Sequence, residues 1–135
     1  MVQVKIAYQG QLHCLATHGP SGASITTDAP VDNMGKGEFF SPTDLVGTAL
    51  GTCIMTIMGI VAQRNNISLE GMTATVVKEM VSQPARRIGK LTLTIDVPTR
   101  VSQEDRQRLE NAAHTCPVKR SLHPDVEVQI SFNWA

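Results

Sequence analysis

Apolar and polar residues alternate from the start of the chain. In "VQVKIAY", residues 2–8, Val2, Val4, Ile6 and Tyr8 fall on one face of an extended segment, the period-two pattern of a half-covered strand. "QGQ" supplies a turn, and "LHCLAT" reads as a second strand with Leu12, Cys14 and Ala16 on one side. "GPSGAS" breaks it, "SITT" gives a short third strand, and the Gly/Pro/Asn-containing "DAPVDNMGKG" reads as a loop.

The pattern then changes period. From Leu45 to Ala62 no residue is charged. Ser41 is placed to cap a helix, Pro42 suits its first turn, and Asp44 lies three residues beyond the cap, the spacing of a capping box. The helix is expected to run to about Arg64, where "RNN" ends it. "MTATVVKEMV" and "RRIGKLTLTIDV" return to alternation as two strands, with "SQPA" as the turn between them. Ser102 and Asp105 repeat the capping-box spacing and predict a polar helix over 103–114. Pro117 is expected to stop that helix, because the residue before a proline is pushed out of the helical region. "DVEVQISFNW" forms the last strand, with Val126, Val128, Ile130 and Phe132 on one face. Hairpin-like runs of strands separated by two helices predict an α+β fold with a largely antiparallel sheet. The length suits one domain over residues 1–135.

The first helix is apolar all round, and such a helix must be covered on every side. The second offers only the narrow stripe Leu109, Ala112 and Ala113 as cover. One short chain lacks the material to wrap the first helix, so a homodimer with this helix at or near the interface is expected. Gly47 and Gly51, one turn apart, would let another backbone approach closely.

Charge narrows the function. Twelve acidic and twelve basic side chains balance, which gives no electrostatic handle for nucleic acid or an anionic membrane. An aromatic content of 4% also argues against a base-stacking surface. The 45–62 run sits at the lower limit of a membrane span, but three glycines and three threonines dilute it. "MVQVKIAYQG" lacks the apolar core of a secretory signal, so a cytoplasmic location is expected. In a reducing compartment three cysteines point to packing, metal or redox chemistry rather than to a structural disulfide set.

Two histidine–cysteine groupings, His114-x-Cys116 with His123 and His13–Cys14 with His18, lack the CxxC or HExxH spacing of a metal centre, so no metal is expected. Cys53, near mid-helix, lies too far from the helix start for the dipole to lower its pKa. Alone it reads as a small buried hydrophobe, a common fate of free cysteine. Cys116 in "AAHTCPVKRSL" is different: a cysteine at a helix end, pinned by Pro117 and followed by Lys119 and Arg120, looks positioned rather than packed. Its place suits a resolving thiol that meets a sulfenic acid. Cys14, on the apolar side of a strand, reads as structural.

"SPTDLVGTALGTC", followed after a sheet segment by "CPVKRSL", resembles the OsmC/Ohr family of thiol-dependent hydroperoxide reductases along nearly the whole chain, with the two cysteines 63 residues apart. The resemblance implies an intertwined homodimer whose central helices are enclosed by sheets. It also implies that Cys53 is the peroxidatic thiol attacking an organic hydroperoxide and Cys116 the resolving thiol. An external dithiol reductant would recycle the pair with no bound cofactor. Leu50, Ile54, Met55, Ile57 and Met58 are candidates for an apolar lining, although core packing explains them equally well. The resemblance further implies a glutamate directly after the helix-start proline and an arginine paired with it. Here Thr43 follows Pro42, and no arginine precedes Arg64. Lys36, Asp44 and Arg120 are the candidate supporting residues, with Arg86 and Arg87 as further cations. The alternative is a non-catalytic or ligand-binding dimer with a hydrophobic interface pocket, whose thiols would be inert to peroxide.

Overall fold

The computed structural model describes residues 1–135. The chain forms two compact units, Met1–Val46 and Gly47–Ala135.

In the first unit, three strands form an antiparallel meander: β1 (Val4–Gly10), β2 (His13–His18) and β3 (Ser24–Thr27). Gly10 pairs with His13, leaving Gln11 and Leu12 as a two-residue turn with both φ angles positive, at 53° and 64°. That is the geometry of a type I′ hairpin, whose twist matches that of the flanking strands. Tyr8 Oη accepts a bond from the Leu12 N–H across the turn at 3.3 Å. The alternation read from the sequence is present, but its apolar side is open: Val2, Ile6 and Tyr8 are each about two-thirds exposed, and Val4 half exposed.

After β3 the chain passes through a 3-10 turn (Val31–Asn33) and returns to the sheet by a parallel bridge between Thr27 and Phe40. Asp28, 1% exposed, is held at this return: its backbone N–H donates to the Phe40 carbonyl at 3.1 Å, and its Oδ2 accepts from the Glu38 N–H at 3.0 Å. The Glu38 N–H is the main reason the Asp28 carboxyl stays below its ordinary pKa, against the opposing effect of burial. Helix α1 (Pro42–Arg64) then begins with the expected capping box. The Asp44 N–H donates to Ser41 Oγ at 3.1 Å, and the Ser41 N–H donates to Asp44 Oδ2 at 2.9 Å.

In the second unit, β4 (Thr73–Val81), β5 (Arg87–Val97) and β6 (Glu127–Trp134) form a sheet in that order. β4 and β5 make the expected antiparallel hairpin, whereas β5 and β6 run parallel. The parallel pair follows from connectivity, since parallel neighbours need a crossover. The crossover here holds α2 (Gln103–Ala113) and α3 (Pro117–Ser121).

One face of β5 is the core: Leu91, Leu93 and Ile95 are fully buried and Val97 nearly so. Leu50, Ile54 and Met58 of α1, one turn apart, are likewise fully buried. The opposite face carries the threonines and other polar groups, with Asn133 Nδ2 donating to Asp96 Oδ1 at 2.8 Å. α2 is seated over β6 by Trp134, whose indole N–H donates to Glu110 Oε1 at 2.8 Å while the Arg106 guanidinium lies 5.7 Å from its ring centre. By length and composition α1 could cross a membrane, with a mean hydropathy of 2.0. Its glycines instead seat it on the sheet.

A side-chain carbon on Gly47 would lie 3.3 Å from one Val76 methyl, and one on Gly51 would lie 3.1 Å from the other. The two glycines thus let α1 approach β4 of its own chain, where the sequence had assigned them to close approach by another backbone. Gly51→Ala gains about 1 kcal/mol of helix propensity but overpacks Val76, a cost of about 1–3 kcal/mol. A net loss near 1 kcal/mol is expected for the single change. In a Val76→Ala background the same substitution is expected to stabilise by about 1 kcal/mol, and a double-mutant cycle in chemical denaturation measures that coupling.

Candidate active site at the two cysteines

α1 carries two working sides within the second unit. The side of Leu50, Ile54 and Met58 faces the sheet. The side of Ala49, Thr52, Cys53, Thr56 and Ile57 lines an open, mainly apolar groove of about 370 Å³, whose other wall is Pro117 and Val118 of α3. Of the residues expected to line an apolar pocket, only Ile57 does so. Leu50, Ile54 and Met58 belong to the core, because the four-residue spacing they share is the spacing of the buried stripe. Thr52 spends its hydroxyl inside the helix, donating to the Thr48 carbonyl at 2.8 Å.

Cys116 is fully buried, and its thiol lies close enough to the Cys53 side chain, half-buried at the groove, to be influenced by it. The fold thus brings together two cysteines 63 residues apart in the chain. Both are free thiols.

Cys116 occupies a different kind of helix end from the one expected. α2 finishes at Ala113 with His114 as its C-cap, and Cys116 then caps the start of α3. Its sulfur accepts the Lys119 N–H at 3.4 Å. Pro117 therefore opens a helix as well as excluding the previous one, and proline's preference for the first helical position was the signal available in the sequence. Burial, foremost, and the Cys53 side chain push the Cys116 thiol above its ordinary pKa, outweighing the downward pull of the Lys119 and Val118 N–H groups. Cys116 therefore keeps its proton at neutral pH. Its S–H remains a weak hydrogen-bond donor.

The other sequence candidates are placed as follows. Asp44 is engaged with the Ser41 N–H as half of the capping box. The Arg120 side chain is exposed, and its backbone N–H donates to the Cys116 carbonyl at 3.1 Å. Lys36 lies in the first unit, exposed, in the segment before α1. Arg87 is committed to the Ile88 and Asp125 carbonyls at 3.2 and 3.3 Å. Of the suspected metal histidines, His114 contacts Lys119 Nζ at 3.2 Å and His18 contacts Ser21 Oγ at 2.6 Å. Neither joins a cysteine-containing cluster.

Comparison with known proteins places this arrangement. The family model for OsmC-like protein matches residues 35–131. A solved structure from Psychrobacter arcticus 273-4, assigned to osmotic stress induction and detoxification response, is 42% identical, with a TM-score of 0.93 and coverage of 98% of this chain and 96% of that one. An organic hydroperoxide resistance protein OsmC from Legionella pneumophila shares the fold at 21% identity and a TM-score of 0.77, over 98% of this chain and 96% of the other. The organic hydroperoxide resistance protein OhrB of Bacillus subtilis does so at 19% and 0.73, over 98% of each chain. Comparison with curated proteins finds no match. The agreement of sequence model and fold over most of the chain shows that it belongs to the OsmC-like protein family.

Proposed function

We propose that this protein is a thiol-dependent peroxidase that reduces organic hydroperoxides through Cys53 and Cys116, acting as a homodimer of single-domain chains in the cytoplasm. The observation that carries the reading is the closeness of the buried Cys116 thiol to Cys53, which lines an apolar groove. Two fold relatives named as organic hydroperoxide resistance proteins support it.

In the proposed cycle the Cys53 thiolate attacks the outer peroxide oxygen of ROOH. The O–O bond breaks, Cys53 becomes a sulfenic acid, and the alkoxide takes a proton and leaves as the alcohol. The Cys116 thiol then attacks the sulfenic sulfur, forming the disulfide and releasing water. An external dithiol reduces the disulfide by exchange and is itself oxidised. The groove offers alkyl groups an apolar surface, so lipophilic peroxides are favoured over hydrogen peroxide.

The dimer reading rests on the open face of β1. Four alternating apolar side chains, Val2, Val4, Ile6 and Tyr8, stand uncovered in a single chain, and OsmC-like proteins are commonly dimeric. A second copy is the proposed cover.

One observation favours the alternative of a ligand-binding dimer. Thr43 stands directly after the helix-start Pro42 and no arginine precedes Arg64, so the acid–arginine pair implied by the resemblance is missing. Thiol titration and intact mass after one equivalent of cumene hydroperoxide, with hydrogen peroxide in parallel, decide between the readings. Peroxidase function predicts rapid loss of two thiols and a mass lower by two hydrogens, faster with the organic peroxide. Thiols that survive a large excess would overturn it in favour of ligand binding.

A further inference from the structure

His13 opens β2, and Asp28 follows β3 directly. The pairing of Cys14 with Thr27 makes His13 and Asp28 the next cross-strand neighbours. Glu38 reaches the same spot from the segment before α1, anchored by its N–H on Asp28 Oδ2. The edge of the Phe39 ring meets the His13 imidazole, with ring centres 5.7 Å apart.

His13 Nε2 lies 3.5 Å from Asp28 Oδ2 and 3.5 Å from Glu38 Oε2. Neither contact is a hydrogen bond: Nε2 is buried with no partner, and so is the second carboxylate oxygen of Asp28, Oδ1. Buried polar groups are ordinarily paired, and two orphans in one cluster call for an explanation. The ligand atoms of the three residues all lie within 4.8 Å of one another. Metal–ligand bonds of about 2.0–2.2 Å to nitrogen and oxygen give a tetrahedron with edges of about 3.3–3.6 Å. The two His13 spacings have that length.

We propose that His13, Asp28 and Glu38 form a binding site for a divalent transition cation, with zinc as the best fit. The imidazole selects transition ions over magnesium and calcium, and the two carboxylates neutralise the dication. With Asp28 binding through both carboxylate oxygens, the cation satisfies both orphaned atoms and clips β2, the end of β3 and the segment leading into α1 together. The site is built without a cysteine. His13, which the sequence grouped with Cys14 and His18, finds its partners through strand register instead.

The test is competition for Zn(II) between the reduced, metal-free chain and a chromophoric chelator. It compares wild type, Glu38→Gln, His13→Ala and the triple variant Cys14→Ser/Cys53→Ser/Cys116→Ser. Because thiolates also bind zinc, the Co(II) spectrum of the wild-type protein is recorded in parallel. One zinc per chain is expected, retained in the triple variant. Glu38→Gln should weaken binding by at least the roughly 10- to 100-fold that loss of an outer-shell partner costs, and His13→Ala should abolish it. The Co(II) adduct should lack sulfur-to-metal charge transfer. Glu38 is half exposed, so its variant is expected to fold and can be read even if His13→Ala is not. Absence of zinc binding, unchanged affinity in Glu38→Gln, or a sulfur charge-transfer band would each overturn the proposal.

Discussion

Cys53→Ser is expected to abolish turnover of organic hydroperoxide, and Cys116→Ser to halt it after a single event. The two effects differ because the proposed roles differ. A serine hydroxyl at position 53 is not ionised at neutral pH and is a poor nucleophile towards the O–O bond. A loss on the order of 10⁴-fold or more is expected from removing a covalent nucleophile. Cys116→Ser leaves the first step intact. It also preserves the local backbone, because serine is a good helix N-cap and its oxygen can accept the Lys119 N–H in place of sulfur. The sulfenic acid on Cys53 then has no resolving partner. Intact mass after one equivalent of peroxide should show a gain of one oxygen atom rather than a loss of two hydrogens, and a dimedone adduct should form. A Cys53→Ser variant that still consumes peroxide, or a Cys116→Ser variant that turns over like the wild type or gains no oxygen, would defeat the assignment.

Ile6→Lys is expected to convert the dimer to monomers. Ile6 is at the centre of the open β1 face and 69% exposed in one chain. Covering such a side chain contributes about 1.5–2 kcal/mol. A two-fold interface counts the change twice and adds the cost of burying two ammonium groups. The sum is about 4 kcal/mol or more, roughly three powers of ten in the dissociation constant. Analytical ultracentrifugation across a dilution series measures it. Thr75→Lys, on the exposed polar face of β4, serves as the control that leaves association unchanged. A wild-type chain that sediments as a monomer, or an Ile6→Lys variant that remains dimeric, would dispose of β1 as the interface.

Both expectations begin in patterns visible along the chain, yet each needed something more. The helix from Pro42 was legible because its capping box, its proline and its uncharged length agree, and the observed span ends at Arg64 as read. The strands were legible from alternation, which tells which face is apolar but not what covers it; β1 shows the difference. The parallel pairing of β6 with β5 was not legible, because register between distant segments leaves no local periodicity. The same reason hid His13, Asp28 and Glu38, which only strand pairing makes neighbours. The closeness of Cys53 and Cys116 came from family resemblance, since nothing in their spacing dictates contact. Pro117 was read as a stop when it is also a start, because one proline serves both the end of α2 and the opening of α3.

The aromatic content is so low that the chain has one tryptophan and one tyrosine. Trp134 sits in the second unit, fixed between α2 and its neighbour Phe132, while Tyr8 sits in the first, over its hairpin turn. Each unit therefore carries its own optical label. Indole emission follows the seam between α2 and β6, whereas the phenol follows the meander and the proposed cover of its β1 face. Whether the two units melt together or apart is thus written into the ultraviolet spectrum of the unmodified protein.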